Sequence, residues 1–466
     1  MSRLMRCLYC GLLQDEPAGI KECVRCGGEL VFEQDVSPIA PDSYLGVQLE
    51  LDQVQAPAGR NIDRFLLVTL RTPQQVPEQY AIKGAQRPPI HFVPVLDVSG
   101  SMSGEKLKQA KEALRQALHC LRRGDVFSLV TFSSEVDCIV EPTAYDEGMH
   151  TRVVSLLKEI QAGGTTALDG GLEMGIERAL QKQQSTTLVL LLSDGRANVG
   201  ETDLEKIGQR ALKARQAGIV VSTLGVGLDY NEALLVEVAN QGGGRFYHLQ
   251  DAAQIPTYLT GELGDAASVA AHQVVIELDL PTRATLLSLT SAYPVEQIGN
   301  TARVLVGSIP IDLELEVPLR LTLIGQKAGT RLSVSGRVQY QTPNDQTLQI
   351  ALNRVTVRFV DTKQFEEHQG LAVPVVEKVA LHRKVAYMLS YSRLLETNPP
   401  AARQLKQKEE RALRYYMALV SEEKAQELAQ ALDNATEAVL SMPAGAKYVV
   451  AESQAFVRRS RNFKKG

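Results

Sequence analysis

Neither charge dominates this sequence. Its 50 Lys and Arg residues nearly balance 54 Asp and Glu, leaving a net charge of −4, which argues against a general nucleic-acid binder. No apolar run is long enough to span a bilayer. Met1-Ser-Arg-Leu-Met-Arg-Cys lacks the apolar centre of a signal peptide, so the expected location is cytoplasmic. Histidine is scarce, and none of the seven falls in an acid–base or nucleophile motif. Gly100-Ser-Met-Ser-Gly104-Glu-Lys106 lacks the Gly-Lys-Ser/Thr run of a phosphate loop. A phosphotransfer site built on two strand-end aspartates is disfavoured because Ser stands at position 99. The expectation is a protein that is not an enzyme and takes no small-molecule substrate. Cysteine is sparse outside the first 34 residues, which hold four of the six; Cys120 and Cys138 stand alone in apolar contexts and are expected in the core.

What the sequence does contain is a repeated kind of strand end. Ile90-His-Phe-Val-Pro-Val-Leu-Asp97 is an apolar run that stops at an aspartate and continues as Val-Ser99-Gly-Ser101. It reads as a strand buried on both faces, feeding a helix. Thr187-Leu-Val-Leu-Leu-Leu-Ser193-Asp194-Gly195 repeats the pattern. Between them, Gly163-Gly164-Thr165-Thr166-Ala167-Leu168-Asp169-Gly170-Gly171 reads as a glycine-rich loop opening a helix, with Asp169 a capping or solvent-facing residue. Leu107, Ala110, Leu114, Ala117, Leu118 and Leu121 mark a crossover helix, and 149–160 and 204–217 are helical too. The stretches 125–133, 136–140 and 218–227 are strands. Such alternation builds a mostly parallel sheet covered on both faces, with ligands at the carboxyl ends of its strands. One carboxylate with hydroxyls two and four residues on is an oxygen-only cluster, which suits a hard divalent cation such as Mg²⁺ better than zinc.

Asp-x-Ser-x-Ser, Gly-Gly-Thr and Leu-Ser-Asp-Gly, in this order and each at the start of a loop, resemble the von Willebrand factor A domain. Gly225-Val-Gly227-Leu-Asp-Tyr-Asn231, Gly242-Gly-Gly-Arg-Phe-Tyr-His248 and Ile255-Pro look like the closing segments of bacterial stand-alone A-domain proteins. The resemblance covers about residues 89–270 and implies a doubly wound, Rossmann-like α/β fold with a metal-ion-dependent adhesion site. It implies hydroxyl ligands at Ser99, Ser101 and Thr165, and Asp97 and Asp194 acting directly or through water, around Mg²⁺ (or Mn²⁺ or Ca²⁺). Thr165 is preferred to Thr166 because it follows the Gly-Gly pair and lies five residues before Gly170. Few directly bound charges leave such a cation electrophilic, so a partner's carboxylate completes its shell.

Residues 1–34 form a separate unit. Cys7-x-x-Cys10-Gly and Cys23-x-x-Cys26-Gly-Gly have the spacing at which four thiolates converge on one Zn²⁺, and they resemble a zinc ribbon. Residues 43–88 contain two alternating strands, Tyr44–Asp52 and Asp63–Arg71, too few for a sheet of their own. Residues 271–361 alternate again, at Val275–Leu280, Arg303–Gly307, Ile311–Val317, Arg320–Ile324, Arg331–Val338 and Val355–Val360, as in an antiparallel β-sandwich. The early strands are expected to join the late ones, with the α/β domain inserted between them. Residues 362–442 return to helical spacing as a hairpin or bundle broken at Asn398-Pro-Pro400, and 443–466 end in a basic tail.

The expected function is a Mg²⁺-dependent protein-binding scaffold or adaptor that docks an Asp or Glu side chain of a partner protein. Two alternatives stay open. One is an adaptor subunit of an ATPase machine of the AAA class. The other is a nucleic-acid-associated factor acting through the ribbon and the basic tail.

Overall fold

The computed structural model describes residues 44–82, 87–195, 199–227, 230–249, 251–367 and 370–417, with three short strands before them and the helical positions Glu422, Ala425, Gln426 and Ala429 after them. The strands β1 (Leu4–Cys7), β2 (Leu13–Asp15) and β3 (Leu30–Phe32) form an antiparallel sheet with β1 in the middle, and Cys7 pairs with Leu30. Cys10, Cys23 and Cys26 lie outside the described residues. So do the basic tail and, those four positions apart, the predicted helix 421–440.

β4 (Gly46–Leu51), β5 (Gln55–Pro57) and β6 (Ile62–Arg71) precede an α/β unit. That unit comprises β7 (Ile90–Asp97), α1 (Glu105–Leu118), β8 (Val126–Phe132), β9 (Val136–Ala144), α2 (Glu147–Glu159), α3 (Leu168–Gln181), β10 (Thr186–Ser193), α4 (Leu204–Gln216), β11 (Ile219–Val226), α5 (Glu232–Gln241), β12 (Gly243–Leu249) and α6 (Ile255–Ala266). Its sheet runs β12-β11-β10-β7-β8-β9, parallel except for β9 at the edge. Every residue of β7 and β10 is buried, because side chains alternate between two covered faces. Phe92, Leu96, Phe127 and Leu190 pack with α1, α2 and α6; Val93, Val95, Val130 and Val189 pack with α3, α4 and α5. Pro94 is tolerated in a central strand at a gap in the β7–β8 pairing, between Phe92–Phe127 and Val95–Val130, where the register itself is kept.

Helix α1 buries Leu107, Ala110, Leu114, Ala117 and Leu118 at helical spacing, each leucine contributing about 1.5–3 kcal/mol. α2, α4 and α5 start on caps in which Asp146, Asp203 and Asn231 accept from backbone amides of the first turn. On α3, a Cβ at Gly175 would lie 2.4 Å from Val95 Cγ2, so glycine there lets the helix rest directly on the sheet. Strand order reverses between β7 and β10: β8 lies on one side of β7, and β10 with β11 and β12 on the other. The loops after β7 and β10 therefore diverge and leave a crevice at the carboxyl ends.

After α6 the chain continues through β13 (Val269–Asp279), β14 (Thr285–Ser288), β15 (Val295–Ile298), β16 (Thr301–Pro310), β17 (Glu314–Leu323), β18 (Arg331–Gln341) and β19 (Thr347–Val360). With β4–β6 these make two sheets, β15-β16-β13-β18-β19-β5 and β14-β17-β6-β4. β6 pairs with β17 from Ile62–Leu323 to Arg71–Glu314, so strands from either side of the α/β unit share one sheet. Leu49, Leu66, Val68, Ile276, Val304, Val317 and Val338 belong to a core common to both sheets. The alternating stretches at 311–317 and 320–324 are a single strand, β17. The Pro318 carbonyl accepts from Leu289 N at 3.2 Å, which turns its missing N–H toward the end of β14 and costs no bond to β6.

α7 (Thr362–Glu367), α8 (Val373–Thr397) and α9 (Pro399–Met417) follow, with the break at Asn398. α8 packs Val375, Val376, Val379 and Ala380 on Phe65 and Leu67 of the smaller sheet. His382 Nε2 and Lys378 Nζ lie 2.9 and 3.1 Å from the buried Glu316 carboxylate. Among the described residues no helix is long and apolar enough to cross a membrane.

Two expectations about individual side chains are corrected. Cys120 is exposed and Cys138 only half-buried, because Cys120 falls just beyond the last turn of α1 and Cys138 lies on the edge strand β9. Asp169 is neither a cap nor solvent-facing. It is buried in the first turn of α3, where Arg210 Nε lies 2.9 Å from its Oδ1.

Candidate metal centre

The crevice gathers three of the sequence motifs. Asp97 ends β7 and Ser193 ends the neighbouring β10. Because Leu96 pairs with Leu192 in parallel register, Asp97 and Ser193 stand side by side, and Ser193 Oγ donates to Asp97 Oδ2 at 2.5 Å. The other oxygen, Asp97 Oδ1, accepts from Ser99 N at 2.8 Å. One residue past β10, Asp194 Oδ1 accepts from Ser101 Oγ at 2.7 Å. Ser99 Oγ and Ser101 Oγ lie 3.0 Å apart. Asp97, Ser99, Ser101 and Asp194 are thus joined in one hydrogen-bonded chain.

The glycine-rich loop is tied to the same place through its backbone. Gly163 N donates to Val98 O at 2.8 Å, Gly100 N to Gly164 O at 3.1 Å, and Ala167 N to Ser133 O at 2.8 Å. Gly164 adopts φ +80°, and a Cβ there would lie 2.6 Å from Ser134 Oγ, so this position demands glycine on both counts. The two threonines part company after it. Thr165 is exposed, its Oγ1 2.9 Å from Ser134 Oγ, whereas Thr166 is buried. A Cβ at Gly195 would lie 3.1 Å from Thr166 Oγ1 and 3.5 Å from Ser101 Oγ.

The donors differ in burial, and Ser99 is buried with the carboxylates. Asp97 and Asp194 are fully buried, while Ser101 and Thr165 are exposed. Burial, and to a lesser degree the neighbouring Asp194 charge, pushes the Asp97 carboxyl above its ordinary range against the hydrogen bonds from Ser193 and Ser99. A carboxylate held in that way gains from an added cation. Lys106 on α1 already brings one, its ammonium forming an ion pair with Asp194 Oδ2. Among the described residues no three His, Cys, Asp or Glu side chains converge as a metal cluster; the donors here are two carboxylates and hydroxyls, an oxygen-only set that fits a hard divalent ion rather than zinc.

The motif residues Asp97, Ser99, Ser101 and Asp194 therefore meet at one crevice; of the two threonines it is Thr166 whose hydroxyl lies toward Ser101 and Gly195, while the expected ligand Thr165 turns to Ser134. Sequence reasoning passed over three further participants: Ser193, Ser134 and Lys106. Ser193 was legible as the residue next to Asp194 on a buried strand. Lys106 stood in the segment that lacks the phosphate-loop run, but its partner, 88 residues away, follows only from the strand order.

Residues 92–260 match the family model of the von Willebrand factor type A domain. The chain contains a von Willebrand factor type A domain. Domains of this family often mediate protein–protein interaction. The chain is 28% identical over 255 residues to the uncharacterized protein YfbK of Escherichia coli (strain K12), covering 53% of this chain and 44% of that protein. It is 32% identical over 234 residues to inter-alpha-trypsin inhibitor heavy chain H1 of Mesocricetus auratus, covering 47% of this chain and 24% of that protein. The match thus spans less than half the length of these relatives. Among solved structures it is similar to a von Willebrand factor type A protein from Catenulispora acidiphila, with a TM-score of 0.65 at 15% identity over 89% of this chain and 98% of the other. It is also similar to the ArnB paralog VWA2 from Sulfolobus acidocaldarius, with a TM-score of 0.61 at 18% identity over 89% and 99%. These likenesses are of fold, and they extend beyond the A domain into the flanking sheets.

Proposed function

We propose that this protein is a Mg²⁺-dependent protein-binding module whose A domain docks an acidic side chain of a partner. The observation that carries this reading is the hydrogen-bonded chain that joins two buried strand-end carboxylates, Asp97 and Asp194, through Ser99 and the exposed Ser101 hydroxyl across the strand-order reversal. Ser99 and Ser101 would hold the ion through hydroxyls, with Thr166, whose Oγ1 lies toward Ser101, in place of the expected Thr165, and Asp97 and Asp194 would neutralise it directly or through water. A bound divalent ion supplies an electrophilic point at which a carboxylate is recognised. Asp97 also fixes the loop, by accepting from Ser99 N and Ser193 Oγ. One carboxylate contact is weak alone, so the surface around the crevice sets specificity. No catalytic step is assigned to these residues. The four N-terminal cysteines, Cys7, Cys10, Cys23 and Cys26, are proposed to hold a structural Zn²⁺.

The test is an affinity capture from native cytoplasm in Mg²⁺ and in EDTA, alongside an Asp97→Ala, Ser99→Ala double variant. A partner retained by the native chain in Mg²⁺ and lost in both other samples supports the reading. A partner retained in all three overturns metal-mediated docking.

A further inference from the structure

Lys106 occupies the first turn of α1, and its side chain is 31% exposed while that of its partner Asp194 is 0% exposed. The ammonium is confined from a second side: a Cβ at Gly227, where β11 ends, would lie 3.6 Å from Lys106 Nζ. Asp194 Oδ1 meanwhile takes the Ser101 hydroxyl at 2.7 Å. Both Asp194 oxygens are thereby engaged by protein donors, as are both Asp97 oxygens. A divalent ion arriving at the hydroxyls meets an ammonium already on one of its two buried anions.

We propose that Lys106 is a built-in counter-cation that competes with the divalent ion for Asp194 and makes retention of the ion depend on the partner's carboxylate. This rests on the metal-site reading above. Two carboxylates, one ammonium and one divalent ion leave a single positive charge in the crevice, and one partner carboxylate cancels it. Without the ammonium the charges of site and ion already cancel, so the ion binds more tightly and attracts an incoming carboxylate less. Lys106 thus exchanges affinity for the ion alone against affinity for the acidic partner. A merely structural lysine gives no such opposed pair of effects. A unit charge within several ångströms of a divalent ion changes its affinity about tenfold even in a water-like dielectric.

The experiment measures Mn²⁺ binding by electron paramagnetic resonance and calorimetry on the full chain, in native, K106M, K106Q, K106R and D97A forms, each checked for an unchanged circular dichroism spectrum. Each titration is repeated with N-acetyl-glutamic acid α-amide as a carboxylate probe, corrected for its own binding of Mn²⁺. The expected result is an affinity for Mn²⁺ about tenfold higher in K106M and K106Q, within twofold of native in K106R, and lost in D97A. The probe is expected to tighten Mn²⁺ binding in the native and K106R forms and to do so less in K106M and K106Q. Native and K106M affinities that agree while D97A loses the ion overturn the counter-cation role and leave the metal site standing. Absence of Mn²⁺ binding at millimolar concentration in every form, K106M included, overturns the metal site and with it this proposal.

Discussion

Arg215 joins the A domain to the paired sheets, and its removal has a cost that follows from its contacts. The side chain leaves the last turn of α4 and is 8% exposed. Its Nη1 donates to Asn240 O and Ala292 O at 3.1 Å each, and Nη2 to Leu305 O at 2.5 Å. Asn240 belongs to α5, whereas Ala292 and Leu305 belong to the region after α6, so one guanidinium ties three backbone segments. Gly243 and Gly307, at φ +72° and +88°, give it room. Arg215→Ala removes three charge-assisted bonds at about 1.5 kcal/mol each, the low end for bonds to a charged group, and the buried stem adds about 1 kcal/mol of lost packing. Release of arginine side-chain entropy returns about 2 kcal/mol, so the expected loss is about 3.5 kcal/mol. Arg215→Lys keeps the charge without the planar fork and should lose about half as much. Guanidinium unfolding followed by circular dichroism and by tyrosine fluorescence measures it, since the chain has 14 tyrosines and no tryptophan. Hydrogen exchange at Ala292–Leu305 localises it. A loss below about 1 kcal/mol with unchanged exchange there would refute the assignment of Arg215 as the joining residue.

Gly164→Ala should cost about 1–3 kcal/mol, because alanine resists a positive φ and its Cβ would strike Ser134 Oγ. Displacement of the loop that carries Thr166 should weaken Mn²⁺ binding in the same variant, and an unfolding midpoint and ion affinity both equal to native would contradict this. Burial pulls His272 down to about 4, below its unfolded value near 6.5. The folded state then binds fewer protons than the unfolded one, so this residue's stabilising effect is present above pH 6.5 and is lost as pH falls toward 4. His272→Gln should therefore gain stability relative to native as pH is lowered through that window, and a constant difference between the two unfolding curves would disprove it. Purified chain should carry one zinc per molecule by elemental analysis, lost in a Cys7→Ser, Cys10→Ser variant while Mn²⁺ binding persists; zinc retained by that variant would place the metal elsewhere.

The A-domain core and its site were readable locally. An apolar run ending in Asp needs no partner to be named as a strand end, and two-face burial is written into the unbroken runs at 90–97 and 187–193. The loop motifs carry their own chemistry, because oxygen ligands two residues apart on one turn approach each other by chain geometry alone. The early alternating strands at residues 44–71 were legible as strands for the same reason. That they join the late strands was expected too; which late strand each one pairs with was not, since a period of two states which face is buried and not which distant strand covers its edge. The tertiary structure decided that β6 lies against β17, that Pro318 sits inside one continuous strand, and that Asp169 is buried on Arg210. It also decided the charge inside the crevice. Asp97, Ser99 and Ser101 follow from fifteen residues of sequence, but Lys106 meets Asp194 only because β10 inserts beside β7 at the reversal of strand order. Local sequence determines what each strand end can bind, and the order of strands determines which charges share the site.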